Sequence, residues 1–293
     1  MTEFDTGGRD RLALAVLAQY RMATTEQMHL LVSPDVRIDQ TRRRLLKLRA
    51  EGLIDRVTLP QAGRLRVWHP TGYGVQVASG WPELRGRRPP KTATDRTAVR
   101  LAVGHALTVT ETALQFVQDA RRRGDLCRPL DWLPEVHHPL GGGEAVIPDA
   151  LLYYQRGTND SEEWSMLRAF IEVDRATMGP ERLAAKLSAY GRLLSYVPQA
   201  VGRRPPFEAV QEEWRRRYPL FPRLLFVLDG TGPAGIETRL RALHAAAKHL
   251  AVANLLRTVP VLAVPLTELR RNGPAAPIWR PVHDPEQRAS WMH

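Results

Sequence analysis

The residues best placed to do chemistry are three carboxylates and an amine in the second half of the chain. Asp149 follows Pro148, Glu172 and Asp174 close the run Ala169-Phe-Ile-Glu-Val-Asp174, and Lys186 and Tyr190 come shortly after. Alternate residues of a strand share a face, so Glu172 and Asp174 project together while Val173 turns into the core. Two carboxylates on an apolar strand repel each other and are costly to desolvate unless a cation neutralises them. With Asp149 on the neighbouring strand, three oxygen ligands converge, a set that suits Mg²⁺ or Mn²⁺ with water and a phosphate completing the shell. Lys186 lies on the next helix, with Arg182 and Tyr190 one turn to either side. Its ammonium would hold a scissile phosphate, orient water or offset developing charge. The chemistry indicated is metal-assisted phosphodiester hydrolysis. Each residue alone has a plainer reading: Asp after Pro forms a turn, an acidic pair ends a strand in solvent, and a helical lysine lies on the surface.

Composition narrows the kind of chain that carries these residues. A length of 293 residues, 43% hydrophobic and 25% charged, describes a globular protein of two domains. The most apolar stretches, 12–17 and 224–228, fall far short of the roughly 18–20 residues of a membrane span. The first residues lack a signal-peptide pattern, so a cytoplasmic location without membrane partners is expected. Cys127 is the single cysteine, which excludes an internal disulfide and a cysteine zinc set. Lys and Arg number 42 against 31 Asp and Glu, and a net charge of +11 attracts polyanions, nucleic acid foremost. The basic residues divide into 38 Arg and 4 Lys, so Lys47, Lys91, Lys186 and Lys248 stand out where the chain otherwise uses Arg.

The elements that position a DNA interface come first in the chain. Residues 9–20 repeat apolar side chains at Leu12, Val16 and Tyr20, the period of an amphipathic helix. Thr24 and Gln27 form a capping-box pattern for a second helix over 25–32. A third helix over 38–51 sets Ile38, Thr41, Leu45 and Leu48 on its inner face, with Gly52 as its stop. Two β-branched runs, 53–59 and 64–69, then flank a Pro/Gly turn and predict a hairpin. This order is that of a winged helix-turn-helix, and residues 37–66 hold nine Arg or Lys against three Asp or Glu. Double-stranded DNA is therefore the expected partner. The expected contacts are Arg37, Arg42, Arg43, Arg44, Lys47 and Arg49 on the third helix, with Arg64 and Arg66 on the wing.

These patterns divide the chain into a winged helix over 1–80, a basic Pro/Gly-rich linker over 81–98, an α/β domain over 99–270 and an irregular tail over 271–293. The α/β domain is expected to run as a helix over 99–122, strands over 135–140, 145–154 and 164–174, a helix over 179–196, a strand over 223–228, a helix over 234–256 and a strand over 259–264. That α-β-β-β-α-β-α-β order predicts a mixed sheet covered by helices. On the first of these helices Glu111 is a minor candidate for the metal site, and His105 reads as a core or interface histidine.

Pro148-Asp149, Glu172-Val-Asp174 and Lys186 on this order resemble the PD-(D/E)XK nuclease superfamily, the restriction-endonuclease-like fold. That superfamily's motif puts lysine where Asp174 stands, and Lys186 would supply the charge from the helix. The motifs Gly104-His105-Ala106-Leu107, Ile147-Pro148-Asp149-Ala150 and Ile171-Glu172-Val173-Asp174-Arg175-Ala176-Thr177, with Lys186-Leu187 and Tyr190, resemble the actinobacterial replication-relaxation family. That resemblance implies a mixed α/β protein, a winged helix followed by an α-β-β-β-α-β core, acting on plasmid or mobile-element DNA in replication or transfer alongside other proteins of those processes. Two readings follow: a Mg²⁺- or Mn²⁺-dependent nuclease tethered to a DNA-binding module, or a non-enzymatic DNA-binding factor whose nuclease-like domain is a scaffold for homodimerisation or docking.

Overall fold

The computed structural model describes residues 8–59, 63, 65–84, 87, 96–157, 164–198 and 211–293, with backbone alone over 96–101. The chain forms two compact units, residues 1–133 and 134–293.

The first unit opens with α1 (Gly8–Tyr20), whose Leu14, Val16, Leu17 and Tyr20 are buried. Two residues of extended chain, β1 (Ala23–Thr24), lead into α2 (Thr25–Val32). The capping box forms: Gln27 N–H donates to Thr24 Oγ1 at 3.1 Å, and Thr24 N–H to Gln27 Oε1 at 3.0 Å. Then α3 (Ile38–Ala50) buries Thr41, Leu45 and Leu48, the stripe its periodicity predicts. Gly52, at φ 73°, reverses the chain where a Cβ would be strained. The strands β2 (Ile54–Leu59) and β3 (Leu65–Pro70) pair antiparallel from Ile54↔Pro70 to Leu59↔Leu65. A third strand absent from the sequence reading, β1, pairs with the other side of β3, giving the order β1-β3-β2. Two residues carry too little periodicity to be read. Helix α4 (Gly72–Ser79) follows, capped by Thr71.

Helix α5 (Arg96–Arg123) is the main difference from the expected division, because it belongs to the first unit. Its buried Val109, Ala113, Leu114, Phe116 and Val117 form an apolar stripe, and α5 packs on α2. Thr110 Oγ1 donates to the Met22 carbonyl at 2.7 Å, and Gln27 Nε2 donates to Glu111 Oε2 at 2.9 Å. Glu111 therefore has a partner, Gln27, within the first unit. His105 is exposed, so the core reading of that histidine is corrected. The sequence shows an amphipathic helix here but not which neighbour takes its apolar face. Apart from residues 81–84, which hold the turn Pro82–Leu84, and Arg87, the expected linker lies outside the described residues up to the start of α5.

After β4 (Trp132–Pro134), where the chain passes from one unit to the next, the second unit begins with the hairpin β5 (His138–Gly141) and β6 (Glu144–Val146). The expected strand 145–154 is interrupted, because Pro148 has no N–H for a ladder. A new strand, β7 (Ala150–Arg156), starts just after it. It pairs antiparallel with β8 (Ser165–Asp174), from Ala150↔Ile171 to Arg156↔Ser165. Helix α6 (Glu181–Ser195) then crosses to β9 (Arg223–Leu228), parallel to β8. The expected helix 234–256 is two, α7 (Pro233–Ala247) and α8 (Leu250–Thr258), broken at Lys248-His249. Both pack on α6, which one straight rod would not do at both places.

Strand β10 (Val261–Pro265) lies parallel to β9, and α9 (Leu266–Asn272) and β11 (Arg280–Pro281) complete the main sheet, ordered β11-β10-β9-β8-β7-β4. The expected irregular tail is thus structural. β11 pairs with β10, and Trp279 and Trp291 are fully buried, the latter edge-on to Tyr154 at 5.2 Å. Isolated aromatics between prolines and charges show no period, so only the packing reveals them. Among the described residues no helix is long and apolar enough to cross a membrane.

Candidate nucleic-acid interface and carboxylate site

Helix α3 carries the expected basic residues, but most are committed to acids of their own unit. Arg44 is only 16% exposed, with Nε on Asp10 Oδ1 at 2.6 Å and a second donor on Ser33 Oγ at 3.2 Å. It fastens α3 to α1 and corrects the expectation that Arg44 points outward. Lys47 reaches Asp10 Oδ2 at 3.0 Å, Arg42 pairs with Asp39 at 2.8 Å and Arg49 with Asp55 at 2.8 Å. Arg37, at the N-cap, is 87% exposed. Gln40, Arg43 and Leu46 are exposed, and neither polar side chain has a partner among the described residues. Spaced three apart, the three form an outward ridge about 9 Å long at 1.5 Å rise per residue.

On the wing, Arg66 is exposed on β3, and Arg56 on β2 lies over the Trp68 ring at 5.5 Å. Burial first, and then Arg66 and Arg49 nearby, push the Arg56 guanidinium pKa down. Arg64 lies outside the described residues.

In the second unit, topology gathers the predicted carboxylates. Ala150 pairs with Ile171, so Asp149 stands across from Glu172, and Asp174 follows on the same face. Glu172 is 2% exposed. Its Oε2 accepts from the Lys186 ammonium and its Oε1 from the Tyr190 hydroxyl at 2.7 Å. These two donors sit one turn apart on α6, as the i, i+4 spacing predicts. Burial pushes the Glu172 carboxyl up to about 7 despite Lys186 beside it, and Asp149 adds to the rise. The carboxylates around Lys186, Glu172 first, outweigh its burial and keep it protonated. Desolvation raises the Tyr190 hydroxyl well above its ordinary range, so it acts as a neutral donor.

The other two carboxylates are also engaged. Asp149 Oδ2 accepts from Val173 N–H at 2.7 Å. Asp174 faces the buried Arg239 guanidinium in an ion pair, and its Oδ1 accepts from Ala176 N–H at 3.1 Å. Arg239, on α7, also donates to the Met178 carbonyl at 2.6 Å. The strand exit is tight: Gly230, at φ 77°, passes so close to the Arg175 carbonyl that a Cβ there would collide with it.

These residues do not fit a magnesium centre as arranged. Among the described residues no group of three or more His, Cys, Asp or Glu could hold a metal ion. The chain's own cations, Lys186 and Arg239, stand against Glu172 and Asp174, and a divalent ion would have to displace them. Sequence reasoning missed Arg239 and Asp10. Arg239 lies between Glu237 and Arg241 in the sequence, and only its burial with Leu240, Leu243 and Ala246 sets it apart. Asp10 gave no signal, since an acid in a first helical turn is ordinary. His138 is buried with Nε2 at 2.8 Å from the Tyr218 hydroxyl, and burial pushes it down to about 4.

The replication-relaxation family model matches residues 14–203, a span that takes in the winged helix, α5 and the whole Glu172 cluster except Arg239. The chain belongs to the replication-relaxation family. No curated protein matches it. Among solved structures, a point mutant of Lactococcus lactis ZitR is similar at 21% identity, over 27% of this chain and 54% of that one, with a TM-score of 0.23. This chain thus matches about half the length of ZitR. Bacillus subtilis PadR in complex with operator DNA is similar at 20% identity, over 39% of this chain and 69% of that one, with a TM-score of 0.22.

Proposed function

We propose that this replication-relaxation protein binds duplex DNA through α3 and the β2–β3 wing, and acts there in replication or transfer of the DNA. The observation that carries the reading is the outward ridge of α3, on which Gln40 and Arg43 have no partner among the described residues while neighbouring arginines are held by acids. Gln and Arg are the side chains that make bidentate contacts to adenine and guanine edges in the major groove. Arg37 and Arg66 are placed for phosphates. Arg42, Lys47 and Arg49 sit in exposed pairs, which contribute little and can be exchanged for phosphate contacts.

Selection from random duplexes should return a defined half-site, with affinity falling steeply as salt rises. Salt-insensitive binding, or none, overturns the proposal. In this reading the second unit is a scaffold for docking or self-association, since its carboxylates are neutralised internally. One observation favours a second reading, metal-dependent phosphodiester hydrolysis: Glu172 and Asp174 share one face of β8, Lys186 reaches Glu172, and Asp149 is near enough to raise the Glu172 pKa. Nicking of supercoiled plasmid with Mg²⁺ or Mn²⁺, abolished by Asp149→Ala, would establish it. Absence of nicking and of any metal effect on melting would leave the scaffold.

A further inference from the structure

A different group of polar side chains lies near the opposite end of β8, away from Glu172. Arg156 and Ser165 are cross-strand partners on β7 and β8, and Arg223, the first residue of β9, pairs with Ala169. Residues 165, 167, 169 and 171 alternate onto the face opposite to Glu172, so Arg156, Ser165 and Arg223 share that other face. Arg223 Nε and Ser165 Oγ are both buried with no hydrogen-bond partner. Burial first, and then the like charge of Arg156, pushes the Arg223 guanidinium pKa down, and neither arginine has an acidic partner among the described residues. Two arginines on one sheet face, Arg223 four residues along β8 from the Arg156–Ser165 pair and partly buried, with a buried hydroxyl beside Arg156, are an unsatisfied donor set. Buried donors of this kind call for an acceptor, and arginine forks match phosphate oxygens.

We propose that Arg156, Ser165 and Arg223 form a phosphate-binding site on the second unit, for a phosphate of a nucleic-acid strand or of a free phosphate compound. The site is independent of the α3 interface and of the carboxylate cluster. Residues 158–163, which include Asp160, Glu162 and Glu163, lie outside the described residues.

The test is thermal melting of the full chain titrated with inorganic pyrophosphate, followed by competition with a short single-stranded oligonucleotide. A saturable rise in melting temperature is expected. The apparent affinity should fall about tenfold or more in Arg156→Gln and be unchanged in Arg43→Ala, as expected for loss of one charge-assisted contact. Arg223→Lys, which keeps the charge and is the milder change, should weaken binding without abolishing it. Displacement of pyrophosphate by the oligonucleotide assigns the site to nucleic acid, and indifference to it assigns the site to a free phosphate compound. No rise, a rise that follows Arg43, or a rise seen only in Glu162→Gln/Glu163→Gln overturns the proposal. Failure of duplex binding at α3 leaves this readout intact, so the two proposals fail separately.

Discussion

The α3 surface and the Glu172 cluster use the same residue types and reach opposite outcomes. On α3 the pairs Arg42–Asp39 and Arg49–Asp55 are solvent-exposed, where an ion pair contributes about 0–1 kcal/mol and screening makes it exchangeable. Around Glu172, burial makes a lost partner costly, because the remaining charge stays desolvated. Exposed arginines can therefore trade an acid for a phosphate, whereas Lys186 and Tyr190 are tied to the fold. A cluster of acids and bases is thus not by itself a reactive site; its burial and its internal partners decide.

The largest expected effect comes from breaking the buried side of this comparison. Glu172→Ala should cost about 2–3 kcal/mol, because it leaves the buried Tyr190 hydroxyl without its acceptor, while Lys186, 43% exposed, can turn to water. That corresponds to a fall of roughly 6 °C in melting temperature for a unit of this size. A change under about 3 °C would mean the cluster contributes no more than an exposed pair.

Next comes Arg43→Ala, expected to weaken specific duplex binding by about 1–3 kcal/mol and to relax preference at one base position, read by repeating the selection. Uniform weakening across sequences would make Arg43 a phosphate contact. Arg42→Ala should instead lower affinity evenly and reduce the salt slope by about one unit.

The pH dependence separates the regions in a third way. Glu172 has its folded-state pKa raised to about 7 from 4.5, so its cost to stability is absent below about pH 4.5, where both states are protonated. Between about pH 4.5 and 7 the unfolded chain has lost a proton that the folded chain still holds, so stability falls across that window and levels off above 7. His138, pushed down to about 4, acts oppositely: its contribution is present above 6.5 and is lost as pH falls toward 4. Urea unfolding across about pH 4–8 should show the Glu172 fall, and Glu172→Gln should flatten it.

The smallest effect is on the fastening of α3. Arg44→Ala should lower stability by about 1–2 kcal/mol, since it leaves Asp10, itself 15% exposed, with Lys47 alone. Specific DNA preference should stay unchanged. A change in the selected sequence would return Arg44 to the DNA-facing set.

Much of the first unit was legible because local patterns there are strong. The Thr24–Gln27 box, the Thr41/Leu45/Leu48 stripe and the alternation around the wing each depend on residues close in sequence. The chain also showed that Asp149, Glu172, Lys186 and Tyr190 belong together, since strand alternation and the i, i+4 helical spacing fix their faces.

Tertiary structure alone decided what those residues are to one another. Arg239 arrives from a helix far along the chain, Asp10 takes Arg44 and Lys47 from the outer face of α3, and α5 gives its apolar stripe to α2. Trp279 and Trp291 become core where the end of the chain folds back, with β11 on β10 and Trp291 against Tyr154. Sequence periodicity records which side of an element is apolar and where its charges lie. Which opposite charge meets them, and whether water is excluded when it does, depends on packing between segments that are distant in the chain.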